Sequence, residues 1–283
     1  VFISMGEIED IKDYLSSFPV HVFACYYSFY VSLYSKILKE KHISVYIKHG
    51  VCQKRIDLSS QLNFLGDVAI LYGEKDTQLL KDTLESRRDD SIFDKLHFKI
   101  SLEGESISFY KSGNQRISHY LNTGKPSKTL EDLGLDPSKK TILYLPTFDR
   151  PRHGTADSSL PFFDDLVRSM NNPREYNYIV KVHPQSFFYN QDYLKKMKEL
   201  NSELSLNLVL EAFDDTLPYM EISDLAITGR TSAIYDYLYF DKPIIFLDHL
   251  GESPSNFDSD LSKGILDPYW IFQTGRIIRR ENL

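Results

Sequence analysis

Cysteine is almost missing from this sequence: Cys25 and Cys52 are the only two among 283 residues. They lack metal-ligand spacing, so neither a disulfide scaffold nor a structural zinc site is expected, and such sparse use points to a reducing compartment. No apolar run reaches the roughly eighteen residues that a membrane-spanning helix needs. The start, Val1-Phe2-Ile3, has neither the charged beginning nor the small-residue cleavage site of a signal peptide, and it reads as the edge of a fragment. Positive charge is in deficit as well, 33 Lys and Arg against 40 Asp and Glu, a net −7. That balance argues against nucleic acid as a partner but leaves room for a local basic pocket around a phosphorylated ligand. Internal repeats, heptads and low-complexity stretches are absent too.

What the chain has in quantity is aromatic rings: 19 Tyr and 18 Phe beside a single Trp, most of which belong in core or half-buried strand positions. Short apolar runs at 20–24, 44–47, 68–72, 141–145, 178–182, 206–210, 225–228 and 243–247 read as strands. Between them lie helical patterns at 27–39, 74–84, 162–171, 192–200 and 231–239, with shorter turns at 130–133 and 217–220. Alternation of this kind predicts an α/β protein with parallel sheets. Lys99–Tyr110, interrupted by Gly104, fits no single element. The turn cluster at 122–127 marks a boundary. Residues 1–124 then form a smaller Rossmann-like domain short of its first elements, and 125–283 a larger one. The tail from 251 reads as loop-rich and carries Arg276, Arg279 and Arg280, either a solvated helix end or a contact for an anionic membrane surface.

Two histidines stand where strands should end, His49-Gly50 after the run at 43–47 and His183-Pro184 after 178–182. Ligands of open α/β sheets bind beyond the carboxyl ends of the strands, so paired histidines there could move the protons of a group transfer. Gly50 would admit a ligand closely, and Lys48, Lys54 and Lys181 would add positive charge; a histidine alone is more often a surface or structural residue. The strongest local signal is Asp224–Asp236, where a strand ends at Thr228, Gly229 turns the chain, and Thr231 and Ser232 open a helix beside Arg230. Unbonded N–H groups and the helix dipole would hold a phosphate there; the plainer role of Thr231 or Ser232 is a helix cap. Thr147 and Arg150 follow the strand at 141–145 and would reach the same region. Asp214-Asp215 precede a helical turn, suited to ribose hydroxyls or simply to the helix dipole.

In order, these segments resemble the CDP-glycerol (poly)glycerophosphotransferase family, which makes teichoic acids and related phosphopolyol capsules. The likeness runs from about 43 to 247 through His49-Gly50, Gly124-Lys125-Pro126, the strand ending Pro146-Thr147, Lys181-Val182-His183-Pro184, and Asp224–Asp236 with Asp241-Lys242-Pro243. It implies a GT-B fold, two Rossmann-like domains with parallel sheets facing across a cleft, the first on the acceptor side and the second binding the nucleotide donor. It further implies catalytic roles for both histidines, His49 as base and His183 near the leaving diphosphate. Gly50, Thr147, Arg150, Lys181, Pro184, Asp215, Arg230, Thr231, Ser232 and Asp236 would bind a CDP-activated polyol. The expected acceptor is a lipid-linked saccharide or an oligosaccharide. Neither a metal nor another cofactor is required, and the setting would be cytoplasmic, at the inner face of the membrane if the arginines serve it. The chain departs from the family at Gly229-Arg230, where an acidic–aromatic pair is usual, and at Lys48, where Trp is usual. A glycosyltransferase or UDP-sugar 2-epimerase of the same fold, and a nucleotide-binding module without turnover, are the alternatives.

Overall fold

The computed structural model describes residues 19–23, 43–47, 67–84, 90–102, 105–122, 128–149, 158–229, 231–249, 270–279 and 282. The helix expected at 27–39 and the His49-Gly50 loop lie outside the described residues, as do Arg150, Arg230 and Arg280. The chain forms two compact units that change over at Ser118–His119.

The first unit holds β1 (Val20–Phe23), β2 (Ile43–Tyr46), β3 (Val68–Leu71), α1 (Glu74–Thr83), β4 (His97–Leu102) and β5 (Glu105–Lys111). Its sheet runs β1-β2-β3-β5-β4. All neighbours are parallel except β4, which lies antiparallel to β5. Lys99–Tyr110, which fitted no single element in the sequence, falls in the two antiparallel strands β4 and β5. Leu102 pairs with Glu105, so only two residues separate the partners. Each strand alternates in its own right, with Phe98, Ile100, Ile107 and Phe109 turned inward. Across the ladder Phe98 stacks on Phe109 at 5.3 Å, and His97 on Tyr110 at 4.3 Å.

The change-over falls within α2 (Gln115–Asn122), and the second unit contains β6 (Lys140–Leu145), α3 (Phe163–Ser169), β7 (Tyr176–Lys181), α4 (Ser186–Tyr189) and α5 (Gln191–Leu204). After these come β8 (Asn207–Glu211), α6 (Leu217–Ile222), β9 (Leu225–Thr228), α7 (Ile234–Tyr237), β10 (Ile244–Asp248) and β11 (Arg276–Arg279). Its six strands are ordered β11-β10-β9-β6-β7-β8, and every pair is parallel. Numbered from β6, that is the 3-2-1-4-5-6 order of a Rossmann sheet. The central strands are buried on both faces and mostly apolar; five of the six residues of β6 and of β7 are buried. On α5, Leu194, Met197 and Leu200 form the buried stripe while Lys195, Lys196 and Lys198 face solvent.

Two elements differ from the expectation in this unit. Arg276–Arg279 form a strand and not a helix end, pairing with Ile245–Asp248 of β10. The close approach depends on Gly275: a Cβ there would lie 2.4 Å from the Ile244 carbonyl oxygen. The helix expected from Thr231 begins only at Ile234 and runs four residues. Thr231 and Ser232 precede it, and its N-cap position, Ala233, has no side-chain cap.

At the amino ends of the strands, two polar side chains fix the frame. Asp224 accepts hydrogen bonds from the Thr141 N–H at 2.9 Å and the Lys140 ammonium at 2.7 Å, pinning β9 to β6. Burial alone would raise its carboxyl, but those two donors outweigh it and hold the group below the usual carboxylate range. Lys242 donates to the carbonyls of Met220 (3.1 Å), Glu221 and Ser223 (2.7 Å), closing the C-terminus of α6.

Candidate active site

A Rossmann sheet changes winding direction between its first and fourth strands, and the crevice beyond their carboxyl ends is where ligands bind. Here those strands are β6 and β9, paired through Leu145 and Thr228. The Thr228 hydroxyl donates to the Leu145 carbonyl at 2.8 Å and locks the two ends together. From this point the chain leaves as Pro146-Thr147 on one side and Gly229 on the other.

A polar clamp shapes the β6 exit. Asp149 accepts the Ser158 N–H at 2.8 Å and the Asn190 side-chain amide at 2.8 Å, while the Asp149 N–H reaches the Asn190 amide oxygen at 3.3 Å. Ser158 in turn donates its hydroxyl to the Thr147 carbonyl at 2.7 Å. Asn190 is buried at the α4–α5 junction, so the clamp ties the exit of β6 to the segment that follows β7. Thr147 is half-buried within this loop. Beside it Phe148 packs on the His183 ring at 4.3 Å and on Tyr189 at 6.4 Å.

His183 is exposed, and its Nδ1 accepts the Gln185 N–H at 3.2 Å. A nitrogen that accepts carries no proton, so a neutral His183 holds its proton on Nε2 and is a hydrogen-bond donor at that atom. Pro184 is exposed beside it. Lys181 is placed differently from the expectation: it is buried at 6 % exposure and its ammonium donates to the Ala212 carbonyl at 2.6 Å. The side chain ties β7 to the exit of β8.

The β8 exit satisfies itself. One oxygen of Glu211 accepts the N–H groups of Ala212 (2.6 Å), Phe213 (2.7 Å) and Asp214 (3.3 Å). A carboxylate of the chain thus fills the backbone nest that an external anion would use. Burial raises its carboxyl, yet the three N–H donors prevail and hold it below the ordinary range. Asp214 pairs with Lys128 and accepts the Tyr219 hydroxyl at 3.1 Å. Asp215 accepts the Leu217 N–H at 3.0 Å, the helix-starting role weighed for it above.

On the β9 side the crevice is crowded. A Cβ on Gly229 would lie 3.0 Å from Ser159 Oγ and 3.2 Å from His249 Cε1. The glycine answers that crowding and not a tight turn, because its φ is outside the left-handed region. Ser159 cannot yield: it is fully buried and receives the Tyr144 hydroxyl at its carbonyl (2.6 Å) and its Oγ (2.8 Å). Thr231 is half-buried, with its Oγ1 3.4 Å from the Ala233 N–H; Ser232 is exposed, and Asp236 is buried within α7.

The structure therefore gathers Thr147 and His183 around the β6 and β7 exits, with Gly229 and Thr231 beyond β9. It ties Lys181 to the Ala212 carbonyl and Asp215 to the Leu217 N–H, and buries Asp236 within α7. Sequence reasoning missed Asn190, Ser158 and His249. Nothing in the sequence marks the first two, but the third follows a strand end just as His183 does, and the same rule applied to 243–247 finds it.

A six-stranded Rossmann sheet with a hydroxyl and a crowded glycine at its switch point, and a histidine on the neighbouring strand exit, defines a doubly wound α/β domain whose ligand crevice lies at that edge. Residues 81–249, more than half of the chain, match the family described as CDP-glycerol:poly(glycerophosphate) glycerophosphotransferase, and the chain belongs to that family. Among curated relatives, the teichoic acid ribitol-phosphate polymerase TarL of Staphylococcus aureus is 31% identical over 153 residues, 53% of this chain and 25% of TarL. TarK of the same organism is 28% identical over 158 residues, 53% of this chain and 27% of TarK. The matched stretch thus spans about a quarter of those relatives. Among solved structures, the wall teichoic acid polymerase TagF soaked with CDPG is 17% identical with a TM-score of 0.49, over 81% of this chain and 53% of that one. A UDP-forming α,α-trehalose-phosphate synthase from Burkholderia vietnamiensis is 11% identical with a TM-score of 0.46, over 88% and 63%. Family membership rests on the sequence match. Among the described residues, no helix is long and apolar enough to cross a membrane.

Proposed function

We propose that the protein transfers a phosphopolyol, glycerol phosphate or a close relative, from a CDP-activated donor to an acceptor hydroxyl in the synthesis of a cell-surface polymer. The acceptor oxygen attacks the β-phosphorus, a new P–O bond forms, the bridging P–O bond breaks, and CMP departs. His49 takes the proton of the acceptor hydroxyl. His183 donates from Nε2 to phosphate oxygen as charge shifts onto the leaving diphosphate. Arg230, Thr231 and Ser232 add donors on the β9 side, while Thr147 and Arg150 hold the nucleotide. The reading calls on no resident metal. A saccharide acceptor on a lipid carrier would bring the enzyme to the inner face of the membrane.

The observation that carries this reading is His183: its Nδ1 is occupied by the Gln185 N–H, which makes Nε2 a proton donor beside the switch point of a chain in this family. The test is release of CMP from CDP-glycerol or CDP-ribitol in the presence of a polyol-phosphate or saccharide acceptor. His49→Ala should abolish turnover while leaving donor affinity largely intact, and retained turnover would remove His49 as the base. Thermal stabilisation by UDP-sugars in place of CDP compounds would favour a glycosyltransferase or epimerase. Binding of CDP compounds without CMP release would leave a nucleotide-binding module.

A further inference from the structure

His249 ends β10 as His183 ends β7, and the two strands flank the switch pair β9–β6 on opposite sides. At about 4.8 Å per strand step, the two histidines stand roughly 14 Å apart along the sheet edge. Their rings are held in opposite senses. His183 accepts a backbone N–H at Nδ1, whereas His249 Nδ1 faces the Leu247 carbonyl at 3.3 Å. A carbonyl can only accept, so this contact is a hydrogen bond in the tautomer that protonates Nδ1, and in that tautomer the lone pair of the neutral ring is on Nε2.

The ring is also placed at the crevice. Its Cε1, one bond from Nε2, lies 3.2 Å from the point where a Gly229 side chain would begin. Phe162 packs on it at 5.4 Å. Any side chain at 229 meets both immobile Ser159 and this imidazole.

We infer that His249 is a specificity-determining residue of the donor site, its Nε2 accepting a hydrogen bond from a hydroxyl of the activated nucleotide. The inference rests on the proposed function, since it takes the switch crevice to hold a CDP-linked polyol. One histidine then addresses phosphate as a donor and the other a hydroxyl as an acceptor. Both the polyol and the ribose carry such hydroxyls.

The test measures the affinity of the 283-residue chain for CDP-glycerol, CDP-ribitol, CDP and CMP by calorimetry, in wild type, His249→Leu, His249→Gln and Gly229→Ala. Loss of one hydrogen bond predicts roughly tenfold weaker binding for His249→Leu. Gln, with an acceptor oxygen at similar reach, should recover most of that loss. Gly229→Ala crowds Ser159 and the imidazole together, so it should weaken binding of the same ligands at least as much as His249→Leu does. Weakening confined to the CDP-polyols assigns the contact to the polyol, and equal weakening of all four assigns it to the ribose. His249→Leu binding all four as wild type does overturns the inference while the proposed function stands. Failure of wild type to bind any CDP compound overturns the proposed function, and the inference falls with it. Should His249→Leu not fold, Gly229→Ala and His249→Gln decide: wild-type affinity in Gly229→Ala overturns the inference.

Discussion

Lys242→Met removes a helix anchor, and its cost follows from the geometry. The ammonium donates to three carbonyls, those of Met220, Glu221 and Ser223, all at or just past the C-terminus of α6. Hydrogen bonds from a charged donor contribute about 1.5–3 kcal/mol each when taken singly. They do not sum here, because burying the ammonium opposes them: burial lowers the Lys242 pKa against the pull of Asp224 and Glu221. Methionine keeps the packing of the stem and leaves three carbonyls short of a donor, which gives a net loss of about 2–4 kcal/mol. For a unit of this size that is about 4–16 °C in Tm. Lys140→Met is the control, since its side chain is 76 % exposed in the pair with Asp224 and should cost less than about 1 kcal/mol. Trp270 is the only tryptophan and belongs to the second unit, so its fluorescence in urea follows the unit concerned. A Lys242→Met protein no less stable than Lys140→Met would refute the anchoring role.

Two further outcomes are expected. Glu211 is held below its unfolded value of about 4.3, so its contribution is complete above that pH and is lost as pH falls through the folded value. Glu211→Gln should accordingly destabilise by about 1–2 kcal/mol at pH 7, with the gap closing below about pH 4 in urea titrations; a gap constant with pH would contradict the nest. Gly275→Ala should cost about 2 kcal/mol or more by driving a Cβ into the Ile244 carbonyl, whereas Gly73→Ala, with nothing within 4 Å, should change stability by less than about 0.5 kcal/mol. Thermal unfolding of the pair separates them.

Buried parallel strands were the legible part of this chain. Leu225–Thr228 is found to the residue because it is apolar on both faces and bounded by Asp224 and Gly229. β11 escaped because an edge strand bounded by arginines has no such run: Arg276 and Arg279 enclose only Ile277 and Ile278. The β4–β5 hairpin was hidden by its length, two alternating strands read as one broken one. At the site, strand-end residues could be found by position alone. The Asp149–Asn190 clamp could not, because its members are 41 residues apart and polar pairing at that range leaves no periodicity. Thr231-Ser232 misled for a related reason: a helix cap and a turn draw on the same residue types. Of the motif segments behind the family resemblance, Asp224 and Lys242 lie at the amino edge of the sheet and serve its framework.

The bond from Thr228 to the Leu145 carbonyl spans 83 residues of sequence, and that separation bears on how the protein is made. At about 5–20 residues per second of synthesis, some 4–17 s pass between the two ends. Within that interval β7 and then β8 are made and can pair on one side of β6, leaving its other side an open edge able to capture a stray strand. Arrival of β9 covers that edge and creates the switch point in the same event. Completion of the candidate site and protection of the nascent sheet are thus one step, and a ribosome stalled before residue 228 would hold a chain that has neither.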